Sequence, residues 1–208
     1  MDTGASSAGS PRRADSSDEE IWDLAAANAH AADLLAEGRP ADALERFHMV
    51  HDRCRALLGG RHPATLTVGG NVAVTTVSAG KRRPGVALLE ACVTERAETW
   101  GDEDPRTLTA RDALAVAHRL AGNVDEAVEL STLVTAQRTR VLGPHAPDTL
   151  TSRMGLVHAK AAAGDFDEAA AVLAAALVDA ELAHGRRHPN TRSLRECGEH
   201  LGLLHLDR

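Results

Sequence analysis

The chain has no tyrosine, and only two tryptophans and two phenylalanines in 208 residues. A core without aromatic bulk has to be filled by alanine, leucine and valine. Those residues favour closely packed helices over sheets of β-branched and aromatic side chains. Cysteine is scarce as well: Cys54, Cys92 and Cys197 lie far apart with no CxxC spacing, so neither a disulfide framework nor a zinc ribbon is expected. No apolar run reaches the roughly 18 residues a membrane span needs, and the N-terminus lacks the apolar core of a secretory signal. These absences predict a soluble, cytoplasmic chain with no membrane partner. Positive charge is not in excess either: the net charge of −7 argues against a nucleic-acid binder. The sequence holds no Gly-rich phosphate loop, nucleophile elbow or HExxH, so no catalytic residue, resident metal or cofactor is expected.

What the chain does have is repetition. Pro63, Pro105, Pro147 and Pro189 recur every 42 residues, as do Thr65, Thr107, Thr149 and Thr191. Gly59, Gly101, Gly143 and Gly185 keep the same step, and Gly38, Gly80, Gly122 and Gly164 fall between them. A fixed period of this length predicts a solenoid, because each unit can bury its apolar face only on its neighbours.

Residues 1–17 are rich in Ser, Gly, Ala and Asp without apolar periodicity, which predicts a disordered tail. Acids at Asp18, Glu19 and Glu20 open a first helix over 21–36, where they complement its dipole. A second helix is expected from Ala41 to Leu58, and the pair is the repeating unit. In the third and fourth copies the second helix opens with Asn123…Glu126 and Asp165…Glu168, the spacing of a capping box. Each later first helix starts at the proline series, with Asp104 as cap before Pro105. Rows at the 42-residue step are uniformly small: Ala31, Ala73, Ala115 and Val157 in the first helix, and Ala43, Gly85, Ala127 and Ala169 in the second. Val50, Cys92, Val134 and Ala176 form an apolar row. After Pro189 one more helix fits, over 189–206, with Arg192 and Glu199 replacing apolar row members, as a cap requires. The expected architecture is all-α: an α-solenoid of four helix pairs (about 21–59, 63–101, 105–143 and 147–185) and a C-terminal capping helix, one domain over 18–208.

The motifs His62-Pro63-Ala-Thr65-Leu66-Thr67, Asp104-Pro105-Arg-Thr107-Leu108-Thr109 and Pro147-Asp-Thr149-Leu150-Thr151 resemble the tetratricopeptide repeat. The likeness is to its 42-residue, kinesin-light-chain-like form, abundant in actinobacterial proteins. That resemblance implies a right-handed superhelix whose concave face, lined by the first helix of each pair, holds peptides or protein segments without catalysis. It also implies an Asn pair on the first helix. At those positions the chain has Asn28-Ala29, Gly70-Asn71, Asp112-Ala113, Met154-Gly155 and Glu196-Cys197, so only Asn28 and Asn71 remain. The candidate partner-binding residues are Asn28, Asn71, Val74, Asp112, Val116, Met154, His158, Glu196 and His200. The expected function is a scaffold for protein–protein interaction.

The N-terminal half of this surface reads as small and apolar, and the C-terminal half carries His158, Glu196 and His200. An alternative reading makes those three, with Met154, an enzymatic or small-molecule pocket. His48 and His51, with Asp52, Cys54 and His62, are a weaker metal candidate: His51 reads as a packing residue and His48 as solvated. Arg111, Arg153 and Arg195 also repeat at 42. They either present a ladder to acidic partner groups or, as the favoured reading, bridge helices by pairing with acids of the chain itself.

Overall fold

The computed structural model describes residues 12–204, with side chains over 19–204. Among the described residues there are nine helices and no strand. They run α1 (Arg12–Ala36), α2 (Pro40–Leu58), α3 (Pro63–Ser78), α4 (Arg82–Trp100), α5 (Pro105–Ala121), α6 (Val124–Leu142), α7 (Pro147–Ala162), α8 (Phe166–His184) and α9 (Pro189–His200). None is long and apolar enough to cross a membrane. α1 starts nine residues ahead of the expected Ile21, since neither Gly nor Pro interrupts the chain between Pro11 and Gly38. Lack of apolar spacing there argues against burial, not against helix. Of the expected tail 1–17, residues 1–11 lie outside the described residues.

Every helix packs on the next one, and the odd-numbered helices also touch one another: α3 on α5, α5 on α7, α7 on α9. The even-numbered helices make no comparable contact among themselves. A row of helix pairs that meets along one edge and gapes along the other must curve. The odd helices therefore line the inner face and the even helices the outer one, an α-solenoid.

The small rows are buried within the helix pairs. Ala31, Ala73, Ala115 and Val157 are buried, as are Ala43, Gly85, Ala127 and Ala169. Small side chains at a crossing let the two backbones approach closely. Gly85 departs from alanine because a Cβ there would lie 2.3 Å from Val77 Cγ2.

The two glycine series do different jobs. Gly122 follows α5 at φ 88°, ψ 6°; its N–H reaches the Arg119 carbonyl, while Asn123 N–H reaches back to His118. This pair of bonds is the Schellman ending, and it decides the next helix start too. Asn123 is at once the last residue of that ending and the N-cap of α6, held at ψ 74°. From that backbone its side chain makes no cap bond, and neither does Asp165. The expected capping boxes are therefore not formed; Asn123 Nδ2 meets His118 Nδ1 instead, and Glu168 pairs with Lys160. Gly101, between α4 and α5, has φ 97° and ψ 161°, a region open essentially to glycine alone. There the following cap is extended, and Asp104 does accept from the Arg106 amide, at 2.9 Å. His62 and His188 do the same job through Nδ1.

α9 stops at His200, short of the expected end at 206. Gly202 turns at φ 67°, and Leu203 N–H returns to the Gly198 carbonyl. Leu203 and Leu204 then fold onto the core around Leu173, in space that a Cβ on Gly198 would fill. Arg192 and Glu199 are exposed, as expected of a capping helix.

Nothing lies within 4 Å of a Cβ built on Gly101 or Gly122, so substitution at either reports backbone strain alone. Gly101→Asn is expected to lose about 1–3 kcal/mol of stability. Gly122→Asn loses less than about 1 kcal/mol, because Asn visits the left-handed region. Urea midpoints of the two variants measure the difference.

Candidate functional site

The inner helices carry a stripe of exposed apolar side chains in register. Val74 on α3 is 39% exposed and Val116 on α5 is 40%; Ala32 on α1 continues the row and Leu120 extends it by one turn. Ala32, Leu35, Ala36, Phe47, Asn71, Val74 and Thr75 line a cavity of about 330 Å3 at the N-terminal end of this stripe. The two asparagines of the sequence motif are joined: Asn71 Nδ2 donates to Asn28 Oδ1 at 3.1 Å. Asn28 itself lines a second, mostly apolar cavity of about 230 Å3 among α1, α2 and α3.

Toward the C-terminus the residues do not gather as a pocket would require. Met154 lines a cavity of only about 90 Å3, which His158, Glu196 and His200 do not line. Glu196 and His200 are exposed, and Glu196 approaches Arg192 at 3.7 Å. His158 Nδ1 donates to the Met154 carbonyl at 2.8 Å. Cys197 Sγ stands 3.7 Å from both ring nitrogens of His158, so the sulfur lies over the ring face rather than in line with a lone pair. Burial pushes the Cys197 thiol above its usual range, away from the thiolate a nucleophile needs. Among the described residues no three His, Cys, Asp or Glu side chains stand close enough to hold a metal ion. His51 is half-buried and His48 exposed, in line with their rows. Cys92 is buried and its thiol is pushed up by burial, with Glu95 adding to and Arg96 opposing that effect.

Asp112 is on the inner face yet turned inward. Its carboxylate takes a 2.8 Å ion pair from Arg138 and hydrogen bonds from Ser152 Oγ at 2.8 and 3.0 Å. Arg138, 3% exposed, also reaches the Asp148 carbonyl and Thr109 Oγ1. Burial outweighs the pull of Arg138 and Ser152, so the Asp112 carboxyl sits above the ordinary carboxylate range.

One repeat earlier the same frame is missing two of its three members. Arg96, 9% exposed, replaces Arg138, but Gly70 stands where Asp112 is and Ala110 where Ser152 is. Arg96 instead bonds to the carbonyls of Leu66 and Arg106, at 3.1 and 2.9 Å. Its guanidinium occupies the place of the missing side chain, 2.6 Å from a Cβ built on Gly70. Sequence reading missed these two arginines, although their 42-residue spacing was available as a signal. The row it did identify behaves structurally. Arg111 pairs with Asp102 and bonds Gln137 at 3.1 Å; Arg153 pairs with Asp179, and Arg195 with Glu181.

Two outcomes are expected at Asp112. Asp112→Ala leaves Arg138 buried without a carboxylate and costs about 3 kcal/mol. Because the folded carboxyl is raised, its contribution is fully present below the unfolded value and fades as pH rises through the folded one. Relative to Asp112→Asn, the wild type therefore loses stability between about pH 4 and the raised folded value, then runs parallel to it. Urea midpoints against pH measure both.

Residues 106–177, about a third of the chain, match the profile of the tetratricopeptide repeat family. A comparison with curated protein sequences finds no match. Among solved structures, the TPR-like repeats of a Podosopora anserina protein described as a kinesin light chain are 27% identical. That match covers 86% of this chain and 87% of that one, with a TM-score of 0.71. A point variant of the same repeats is 25% identical, covers 86% and 92%, and also has a TM-score of 0.71. BtubC (BKLC) from P. vanneervenii shares the fold at 14% identity and a TM-score of 0.56, over 89% of this chain and 85% of that one. The matched region lies within an unbroken series of 42-residue helix pairs that continues on both sides of it, so the described chain is an α-solenoid whose residues 106–177 match the tetratricopeptide repeat.

Proposed function

We propose that the protein is a non-catalytic interaction module that holds a segment of a protein partner on its inner, concave face. Tetratricopeptide repeats are typically scaffolds for protein–protein interaction, and this reading assigns that role to a particular surface. The observation that carries it is the stripe of Ala32, Val74 and Val116, exposed and in register over three successive inner helices. Contiguous exposed apolar surface on a folded domain marks an interaction site. The adjoining cavity walled by Leu35, Phe47 and Thr75 offers room for one large apolar side chain of the partner, the kind of anchor that dominates interface energetics. Asn28 and Asn71, bonded to each other, would open to meet a partner backbone, while Met154, His158, Glu196 and His200 supply a polar end.

Asp112 enters this reading as a supporting residue: its carboxylate is committed to Arg138 and Ser152, and Val116, one turn on, is what the groove exposes. The net charge of −7 disfavours nucleic acid as the partner. Three buried, unpaired cysteines suit a reducing, cytoplasmic compartment.

Selection of displayed peptides on the immobilised full chain, followed by affinity measurement, tests the proposal. Val74→Arg with Val116→Arg adds two charges to the stripe without touching the core. It is expected to weaken the selected segments by about 30-fold or more, the loss of one hot spot. His158→Ala leaves them bound within about threefold, as a peripheral contact does. If the double variant, folded by circular dichroism, binds those segments as the wild type does, the concave stripe is not the site.

A further inference from the structure

On the outer side of the molecule the even helices make no contact comparable to that between the odd helices, and the gap between each successive pair is floored by an odd helix. In two repeats that gap is plugged by the chain's own arginine. Arg111, with its side chain 13% exposed, bonds the carbonyl and carboxylate of Asp102 in the preceding loop and Gln137 on the following even helix. Arg153, 15% exposed, pairs with Asp179 one repeat later. The geometry is constant: the arginine reaches the side chain 26 residues ahead of it.

The equivalent residue between α2 and α4 is Gly69, and the residue 26 ahead of it is Glu95. With no arginine in place, an open cavity of about 600 Å3 remains, lined by Gly69, Gly60, His51 and Glu95 among others. Gly69, Gly60 and Glu95 stand where the neighbouring repeat has Arg111, Asp102 and Gln137. Glu98, also in the lining, is taken by Arg61. Glu95 has no cationic side chain within ion-pair distance among the described residues. The lining is apolar through Val72 on α3 and Leu88 and Ala91 on α4, and it also carries His48, His51 and Arg55 on α2. His51 Nε2 lies 3.3 Å from a Cβ built on Gly69, so an arginine there requires the imidazole to give by a few tenths of an ångström.

We propose that this cavity is a second docking site, on the face opposite the concave stripe, for an arginine side chain presented by a protein partner. The guanidinium would enter where Arg111 sits one repeat later, and meet the Glu95 carboxylate. The aliphatic stem would lie on Val72 and Leu88 as arginine stems do. A guanidinium suits a carboxylate at the mouth of a partly apolar slot, because its planar fork matches the carboxylate and it is weakly hydrated. The volume, within the range of ligand pockets, leaves space for residues flanking that arginine.

The test uses the full chain, labelled for NMR, with N-acetyl-arginine methylamide as probe and the citrulline counterpart, which has the same length without the charge, as control. The arginine probe is expected to shift the amides of Gly69 and Glu95 in a saturable manner, and the citrulline probe to leave them in place. Gly69→Arg supplies the side chain in cis. It should abolish the shifts and raise Tm by about 2–4 °C, the response of a chain this size to one added interaction of ordinary strength. Gly69→Ala, which gains helix propensity without the guanidinium, keeps the shifts, and Glu95→Gln loses them. Three results would overturn the proposal: no shift with the arginine probe, shifts that persist in Glu95→Gln, or shifts produced instead by N-acetyl-glutamate methylamide acting on His48, His51, Arg55 and Arg61. Val74→Arg with Val116→Arg leaves this binding intact, so failure here and failure of the concave-face reading are separate results.

Discussion

Two helices cross within each repeat over residues that have almost no side chain, and the burial of that crossing is what the molecule depends on. Ala31, Ala43, Ala115 and Ala127 are completely or nearly buried, yet each contributes a single methyl group. An alanine crossing gains little transfer free energy per residue. It draws the backbones together, so that the larger residues beside it, Phe47, Leu89, Leu108, Leu150 and Leu173, fill the space between one pair and the next. No repeat has a core of its own. The three hydrophobic clusters each draw on at least three helices, which is why the period had to be uniform for the chain to fold at all.

That uniformity made the architecture legible. Proline starts, glycine stops and small rows recur as letters in the sequence, and the structure places them at the starts, turns and crossings they imply. Legibility ended where one residue serves two elements. Asn123 has the composition of a capping box with Glu126, but its amide closes the end of α5 and fixes its backbone before its side chain can cap α6. The end of α9 was hidden in a similar way, since its stop depends on Leu204 finding room over Gly198. Side-chain exposure on the inner face followed the rows at Val74 and Val116. At Asp112 it did not, because the partners that turn the carboxylate inward, Arg138 and Ser152, come from two other helices.

The second repeat is where the pattern is broken twice in succession. Gly69 lacks the arginine that the following repeats carry, and Gly70 lacks the acid that Asp112 supplies one repeat later. The two losses fall at adjacent positions on α3, which point about 100° apart. One leaves Glu95 without a cation on the outer side; the other leaves Arg96 bonded to carbonyls on the inner side. A buried guanidinium without a carboxylate is costly unless its donors are satisfied, and Arg96 satisfies two of them only by swinging into the space Gly70 vacates. A Cβ at position 70 would force the Arg96 guanidinium out of this place. The resemblance to kinesin-light-chain-like repeats fixes the frame, and departures of this kind are what make one member of the frame differ from another.

The meeting of odd helices along one edge, with even helices apart along the other, also sets how the molecule yields to force. Its main packing contacts all join helices no more than two places apart, so a pull on the two ends loads the repeats in series rather than in parallel. Each interface then bears the whole tension, and extension proceeds one repeat at a time from the weakest joint. Short of rupture, the open outer edge allows the pairs to splay or close about the inner edge as a leaf spring does. Such flexing changes the spacing of the outer gaps far more than that of the inner stripe, because displacement grows with distance from the pivot.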